Sequence, residues 1–256
     1  MEDILLPTTI EFTDGEQPNI GKVVITPCQK GYGTTLGNAL RRVLLSSLPG
    51  AAIESVKIDG VQHEFSAIDG VQEDVVEIIL NLKQVDVRCF SNEPVVLSLT
   101  KKGKGDITAA DFEKNSDIEI VNPDLKIMTV TDTKKEINME VVIGKGRGYV
   151  PVEEKDSKNM DLGTIVIDSL YTPIRDIGYN VESTRVGDVV DYEKLVLNIE
   201  TNGTITPKKA IEQATKILMD HFSLILDMAS DMSHTETEEV IEEKPKKSTK
   251  KSKKAE

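Results

Sequence analysis

Between Leu36 and Leu48 the apolar residues recur at helical spacing. With Leu36 at the zero of a wheel turning about 100° per residue, Ala39, Leu40, Val43, Leu44 and Leu48 fall on one broad face. That is the core stripe of a globular helix. Leu45 stands roughly opposite Leu36, flanked by Asn38, Arg41 and Arg42. Such a leucine suits a surface that meets another protein, where arginine is enriched and an apolar anchor loses its water. It equally suits a lone exposed leucine, which is common. Spacing leaves both open. Thr34 or Thr35 is placed to cap this helix and Pro49-Gly50 to end it.

Elsewhere the pattern predicts mostly strands. Residues 19–26 are β-branched and end at Pro27; residues 53–58 alternate, with Asp59-Gly60 as the turn. Residues 71–82 predict a helix with Val75, Val76, Ile79 and Leu82 on one side. Strands are expected over 85–90, 95–100, 118–121, 125–131, 137–143, 162–167, 175–182 and 194–200. Glycine and lysine mark 101–106 and 144–148 as loops. The second run could hold an anion on its backbone amides or simply turn. Residues 152–161 read as an exposed loop, and Asn202-Gly203 as a hairpin-like turn.

Thr206-Pro207 opens the strongest helix, with threonine as N-cap and proline at the first helical position. Its apolar residues, from Ala210 through Leu218, Phe222 and Ile225 to Met228, sweep roughly 220°, where packing on one sheet needs little over 100°. The helix therefore has two neighbours, inside a monomer or across a dimer. His221 lies on that arc and is read as a hydrogen-bonded core histidine. From Ser233 the chain turns acidic, then basic, with almost no large apolar residue, so residues 233–256 are expected to be disordered.

Composition narrows the function. The 256 residues allow one or two domains with a sizeable core. Cys28 and Cys89 are far apart and fit neither a zinc spacing nor a disulfide framework, which suits a reducing compartment. Residues 1–7 lack a signal-peptide pattern and no apolar run approaches about 20 residues, so the expectation is cytoplasmic. Net charge is −13, although seven lysines lie between Lys244 and Lys254. The body is thus strongly acidic, which argues against an autonomous nucleic-acid-binding fold. A nucleic-acid binder acting through the lysine tail stays as the alternative. There is no phosphate-binding glycine loop, no Asp-x-Asp-x-Asp triplet and no ordered Ser/His/Asp set; His63, His221 and His234 are scattered. The sequence offers no catalytic centre, metal site or cofactor site of its own.

Six segments together resemble one family, the alpha subunits of bacterial-type DNA-directed RNA polymerase. They are residues 31–50, 58–66 (Ile-Asp-Gly-Val-Gln-His-Glu-Phe-Ser), 70–83, 146–151 (Gly-Arg-Gly-Tyr-Val-Pro), 179–182 and 200–205. They stand in the family's order and span roughly residues 1 to 230. The resemblance implies an α+β fold: a discontinuous dimerisation domain with helices on an antiparallel sheet, residues 1–49 plus 173–232, and an inserted, mostly β domain, residues 50–172. It implies a non-catalytic scaffold that homodimerises and recruits the beta and beta-prime subunits of a nucleotidyltransferase, whose Mg2+ sits in another subunit.

The same resemblance places the beta contact on the first helix at Arg42, with Arg41, Asn38 and Leu45 around it, and Glu77 beside it. Lys83 and Lys194 fall where contacts to the large subunits, here assigned to beta-prime, occur. The dimer contact uses the two long helices, here Leu36, Leu40, Leu44, Leu218, Phe222 and Ile225. Family members usually carry a further DNA-binding domain after a linker. The expectation here is a member without it, acting in the cytoplasm at the nucleoid, with DNA touched only indirectly or weakly through the tail.

Overall fold

The computed structural model describes residues 4–15, 17–155, 161–187 and 189–242. In chain order the elements are β1 (Thr9–Asp14), β2 (Ile20–Cys28), α1 (Tyr32–Ser46), β3 (Pro49–Ile58), α2 (Val75–Leu82), β4 (Val87–Cys89), β5 (Val95–Lys102), β6 (Gly105–Thr108), β7 (Ile118–Ile120), β8 (Lys126–Val130), β9 (Glu136–Arg147), β10 (Tyr149–Val150), β11 (Thr164–Val166), β12 (Ser169–Leu170), β13 (Ile174–Val186), β14 (Val189–Thr201) and α3 (Pro207–Glu242). The fold is α+β, with helices against antiparallel sheets. The described chain divides into two units, one ending at Thr215 and the other starting at Lys216, within α3.

Within the first unit, one four-stranded sheet runs β1-β2-β14-β13, so it joins strands distant in sequence. A second sheet runs β5-β9-β3-β4-β7, with β11 on the free part of β3. On the first sheet, Leu195, Leu197 and Ile199 pair with Ile25, Val23 and Gly21 and share one face with them. α1 seats on that face, against β13 and β14. Gly33 and Gly37 permit the close approach: a Cβ on Gly37 would lie 2.7 Å from the Tyr179 ring and 3.0 Å from Leu195.

The start of α1 corrects the sequence reading. The helix begins at Tyr32 with Gly31 as N-cap (φ 86°), and neither Thr34 nor Thr35 caps it. Instead Glu193, on β14, accepts hydrogen bonds from the N–H groups of Gly31 (2.9 Å) and Gly33 (3.0 Å). A carboxylate from a neighbouring strand thus satisfies the helix's unpaired donors.

The core of the second sheet comprises Val56, Ile78, Leu82, Leu99, Ile127, Val141 and Ile143, each without solvent exposure. α2 starts at Val75, later than the expected Val71, because the Asp74 carboxylate caps it by accepting from Glu77 N–H at 2.7 Å. Val71 is spent on a bridge to Val130. The 144–148 run is also corrected. Residues Gly144 to Arg147 continue β9 and pair with Ala52 to Pro49. Their glycines reflect crowding: a Cβ on Gly146 would meet the Tyr171 ring at 2.6 Å, and one on Gly144 would clash with Glu54. Part of the expected 101–106 loop is likewise strand, since β5 extends to Lys102 and β6 starts at Gly105.

A polar seam lies beside these glycines. Tyr171 donates its hydroxyl to Glu54 Oε1 at 2.6 Å. Burial and that carboxylate push the Tyr171 phenol up to about 12. Lys155 Nζ donates to Ser169 Oγ at 2.6 Å and to the carbonyls of Ile167 and Glu54. Burial lowers the Lys155 pKa.

Asn202-Gly203 leads from β14 into α3 and is not a hairpin turn. Thr206 does receive the Lys209 N–H, at 3.4 Å. The α3 backbone is helical to Glu242, past the Ser233 at which disorder was expected. Extending an existing helix adds a hydrogen bond per residue without a new nucleus. The lysine run between Lys244 and Lys254 lies outside the described residues, as do residues 156–160 of the expected 152–161 loop.

Candidate assembly surface

α1 divides as its periodicity implies. Leu40 and Leu44 are buried at 7% and 0% exposure, so within this chain they are core residues, and Leu36 is half-buried. Leu40 and Leu44 therefore lie beneath the outer surface of α1 in the single chain. On the outer side Asn38, Arg41 and Arg42 are exposed, and Leu45 keeps 37% of its surface. Among the described residues no ion pair holds Arg41 or Arg42. Two exposed guanidinium groups beside a partly exposed leucine form a patch with both charge and an apolar anchor.

The other sequence candidates lie elsewhere. Glu77 is exposed on α2, and Lys83 caps the C-terminal end of the same helix. Lys83 Nζ contacts Asp168 Oδ2 at 2.9 Å, and Asp168 also accepts the Val152 N–H at 2.9 Å. Lys194 sits on β14 next to Leu195 and so points to the sheet face away from α1. It pairs across strands with Glu182 at 2.5 Å. Both lysines are already committed within the chain, unlike Arg41 and Arg42.

In the second unit α3 exposes its apolar residues: Phe222 and Ile225 at 62% each, Leu224 at 60% and Leu226 at 69%, with Leu218 half-buried. His221 is exposed too, with Nδ1 2.7 Å from the Ile217 carbonyl oxygen, so it is not a core histidine of this chain.

The Lys83–Asp168 contact has a pH signature. The Lys83 ammonium and then the Val152 N–H hold the Asp168 carboxyl below its ordinary 3.8. A depressed folded pKa stabilises the chain above the unfolded value, and that contribution is lost as pH falls through the folded one. Unfolding free energy is expected to fall as pH drops below about 4. Asp168→Asn should make that acid limb shallower in urea titrations; an unchanged limb would contradict the assignment.

Comparison with known proteins decides the family. Residues 56–172 match the family model described as the RNA polymerase Rpb3/RpoA insert domain. A DNA-directed RNA polymerase subunit alpha from Alkaliphilus oremlandii is 50% identical over 216 residues, 84% of this chain and 68% of that protein. The subunit alpha of Symbiobacterium thermophilum is 49% identical over 229 residues, 90% of this chain and 71% of its own length. That of Alkaliphilus metalliredigens is 47% identical over 230 residues, 90% of this chain and 73% of its own.

The chain belongs to the alpha subunits of DNA-directed RNA polymerase. As an alpha subunit it is part of a complex that is a nucleotidyltransferase and serves transcription. Among the described residues no group of three or more His, Cys, Asp or Glu could hold a metal ion, and no helix is long and apolar enough to cross a membrane. Sequence reasoning missed Glu193, which orients this alpha subunit's α1. Its capping role carries no local signal, because the two partners are 162 residues apart.

Proposed function

We propose that this chain is the assembly platform of its polymerase: it homodimerises, and the dimer collects the beta and beta-prime subunits. Residues 1–49 plus 173–232 form the dimerisation domain in this reading, and 50–172 the insert. The observation that carries it is the outer side of α1, where Arg41 and Arg42 are exposed next to Leu45, without an ion pair among the described residues, on a helix whose other side is anchored in the core. A rigid helix presenting unpaired arginines around an apolar residue suits a large protein partner, which would desolvate the leucine and satisfy the guanidinium groups.

Beta is assigned to Asn38, Arg41, Arg42 and Leu45, with Glu77 as an outlying contact. Lys83 and Lys194 are assigned to beta-prime, where they would have to share their present carboxylate partners. The second copy is assigned to Leu36 on α1 and to Leu218, Phe222 and Ile225 on α3. The subunit supplies no cofactor and works in the cytoplasm as part of the polymerase.

Arg42→Ala tests the beta assignment. It removes an exposed side chain, so the fold and the dimer should persist while beta recovered on the immobilised chain drops at least about tenfold. Equal recovery of beta would refute it.

A further inference from the structure

A second feature of the first unit is a cleft of about 630 Å³ where the start of β3, β4 and the end of β9 meet the loop before α3 and its first turns. Its lining includes Arg88, Lys145 and Lys209 and, among the described residues, no aspartate or glutamate. That is unexpected in a chain of net charge −13. The cations differ in how they are held. Arg88 is fixed by the Thr204 and Gly203 carbonyls at 2.9 and 3.3 Å, and its outer edge meets Glu119 at 2.6 Å. Lys145 donates only to neutral oxygens, the Phe90 carbonyl and Asn92 Oδ1, both at 3.3 Å. Lys209 is exposed on the first turns of α3 and has no ion pair among the described residues. Two of the three charges are therefore uncompensated. Beside them Phe90 leaves 59% of its surface open to solvent, and Gln213 adds a neutral hydrogen-bonding group.

From this cleft we propose a binding site for a nucleoside triphosphate, built from residues other than those of the α1 patch. The phosphates bind Lys145 and Lys209, with the Glu119-paired Arg88 as a fixed wall, and the base stacks on Phe90. The volume lies within the range of small-molecule sites, roughly 300–1,000 Å³. Charge-assisted bonds to phosphate are among the stronger polar contacts, and an exposed aromatic ring offers stacking to any base.

The test is calorimetric titration of the full chain with ATP and, separately, with inorganic pyrophosphate. Saturable ATP binding is expected. Lys145→Ala and Lys209→Ala should each weaken it by about tenfold, and Phe90→Ala should weaken ATP but not pyrophosphate. The lysines of the tail are unchanged in every variant, so binding that resides there would survive all three substitutions. Survival of that kind overturns the proposal, as does the absence of saturable binding at millimolar ATP. Equal loss of ATP and pyrophosphate in Phe90→Ala also overturns it. Lys209 is an exposed helix position, so Lys209→Ala decides the matter even if Lys145→Ala does not fold.

Discussion

Phe222→Glu combined with Ile225→Glu is expected to convert a dimer of this chain into folded monomers. The two residues are three apart on α3, so they share a face, and Leu218 stands one turn before Phe222. Phe222 and Ile225 are 62% exposed, so the single chain does not depend on burying them. A second copy would bury them, at about 1.5–3 kcal/mol for each large apolar side chain. Losing both, and placing two carboxylates against an apolar partner, should raise the dissociation constant by at least about 100-fold. Sedimentation equilibrium at micromolar concentration reads this directly. A double variant that stays dimeric would remove α3 from the interface, and a wild-type chain that is already monomeric would remove the interface itself.

Gly50→Ala should produce the largest loss of stability. Gly50 lies on β3 opposite Gly146 of β9, and a Cβ there would sit 1.8 Å from the Tyr171 carbonyl oxygen. That carbonyl cannot easily withdraw. Tyr171 N–H is bonded to Gly148 at 2.8 Å, and its hydroxyl is bonded to Glu54. The added methyl must therefore displace backbone on both sides of the seam, a cost of about 3 kcal/mol. Gly178→Ala is the control, because nothing lies within 4 Å of its built Cβ; it should stay within about 1 kcal/mol of wild type. Urea midpoints compare the two. Equal stability of the variants would mean that the seam yields where it is described as fixed.

Much of the fold was legible because periodicity reports burial. The inner stripe of α1, the alternation in 53–58 and the capped start of α3 all follow from residues near in sequence. The misreadings share a cause in long-range contacts. Residues 144–147 look like a loop because glycines gather there, yet each glycine answers a side chain from far along the chain. β1 went unread although Ile10 and Phe12 alternate with Thr9, Glu11 and Thr13; it is an edge strand with all six residues exposed, so it contributes nothing to the buried pattern. The broad apolar arc of α3 was legible, whereas the choice between an internal neighbour and a second copy was not, since one chain's sequence holds both readings. Within the candidate surface, Leu45 and its arginines were visible as an odd placement on a wheel. That Lys83 and Lys194 already have carboxylate partners was not, because Asp168 and Glu182 are brought to them by the fold.

The central claim is that the outer side of α1 receives the beta subunit. A photo-reactive phenylalanine analogue at Leu45, in the full chain co-expressed with beta and beta-prime, tests it most directly. The account predicts a light-dependent covalent adduct with beta in the assembled polymerase. An assembled polymerase whose Leu45 probe reacts only with beta-prime, only with a second copy of this chain, or with neither, would contradict it.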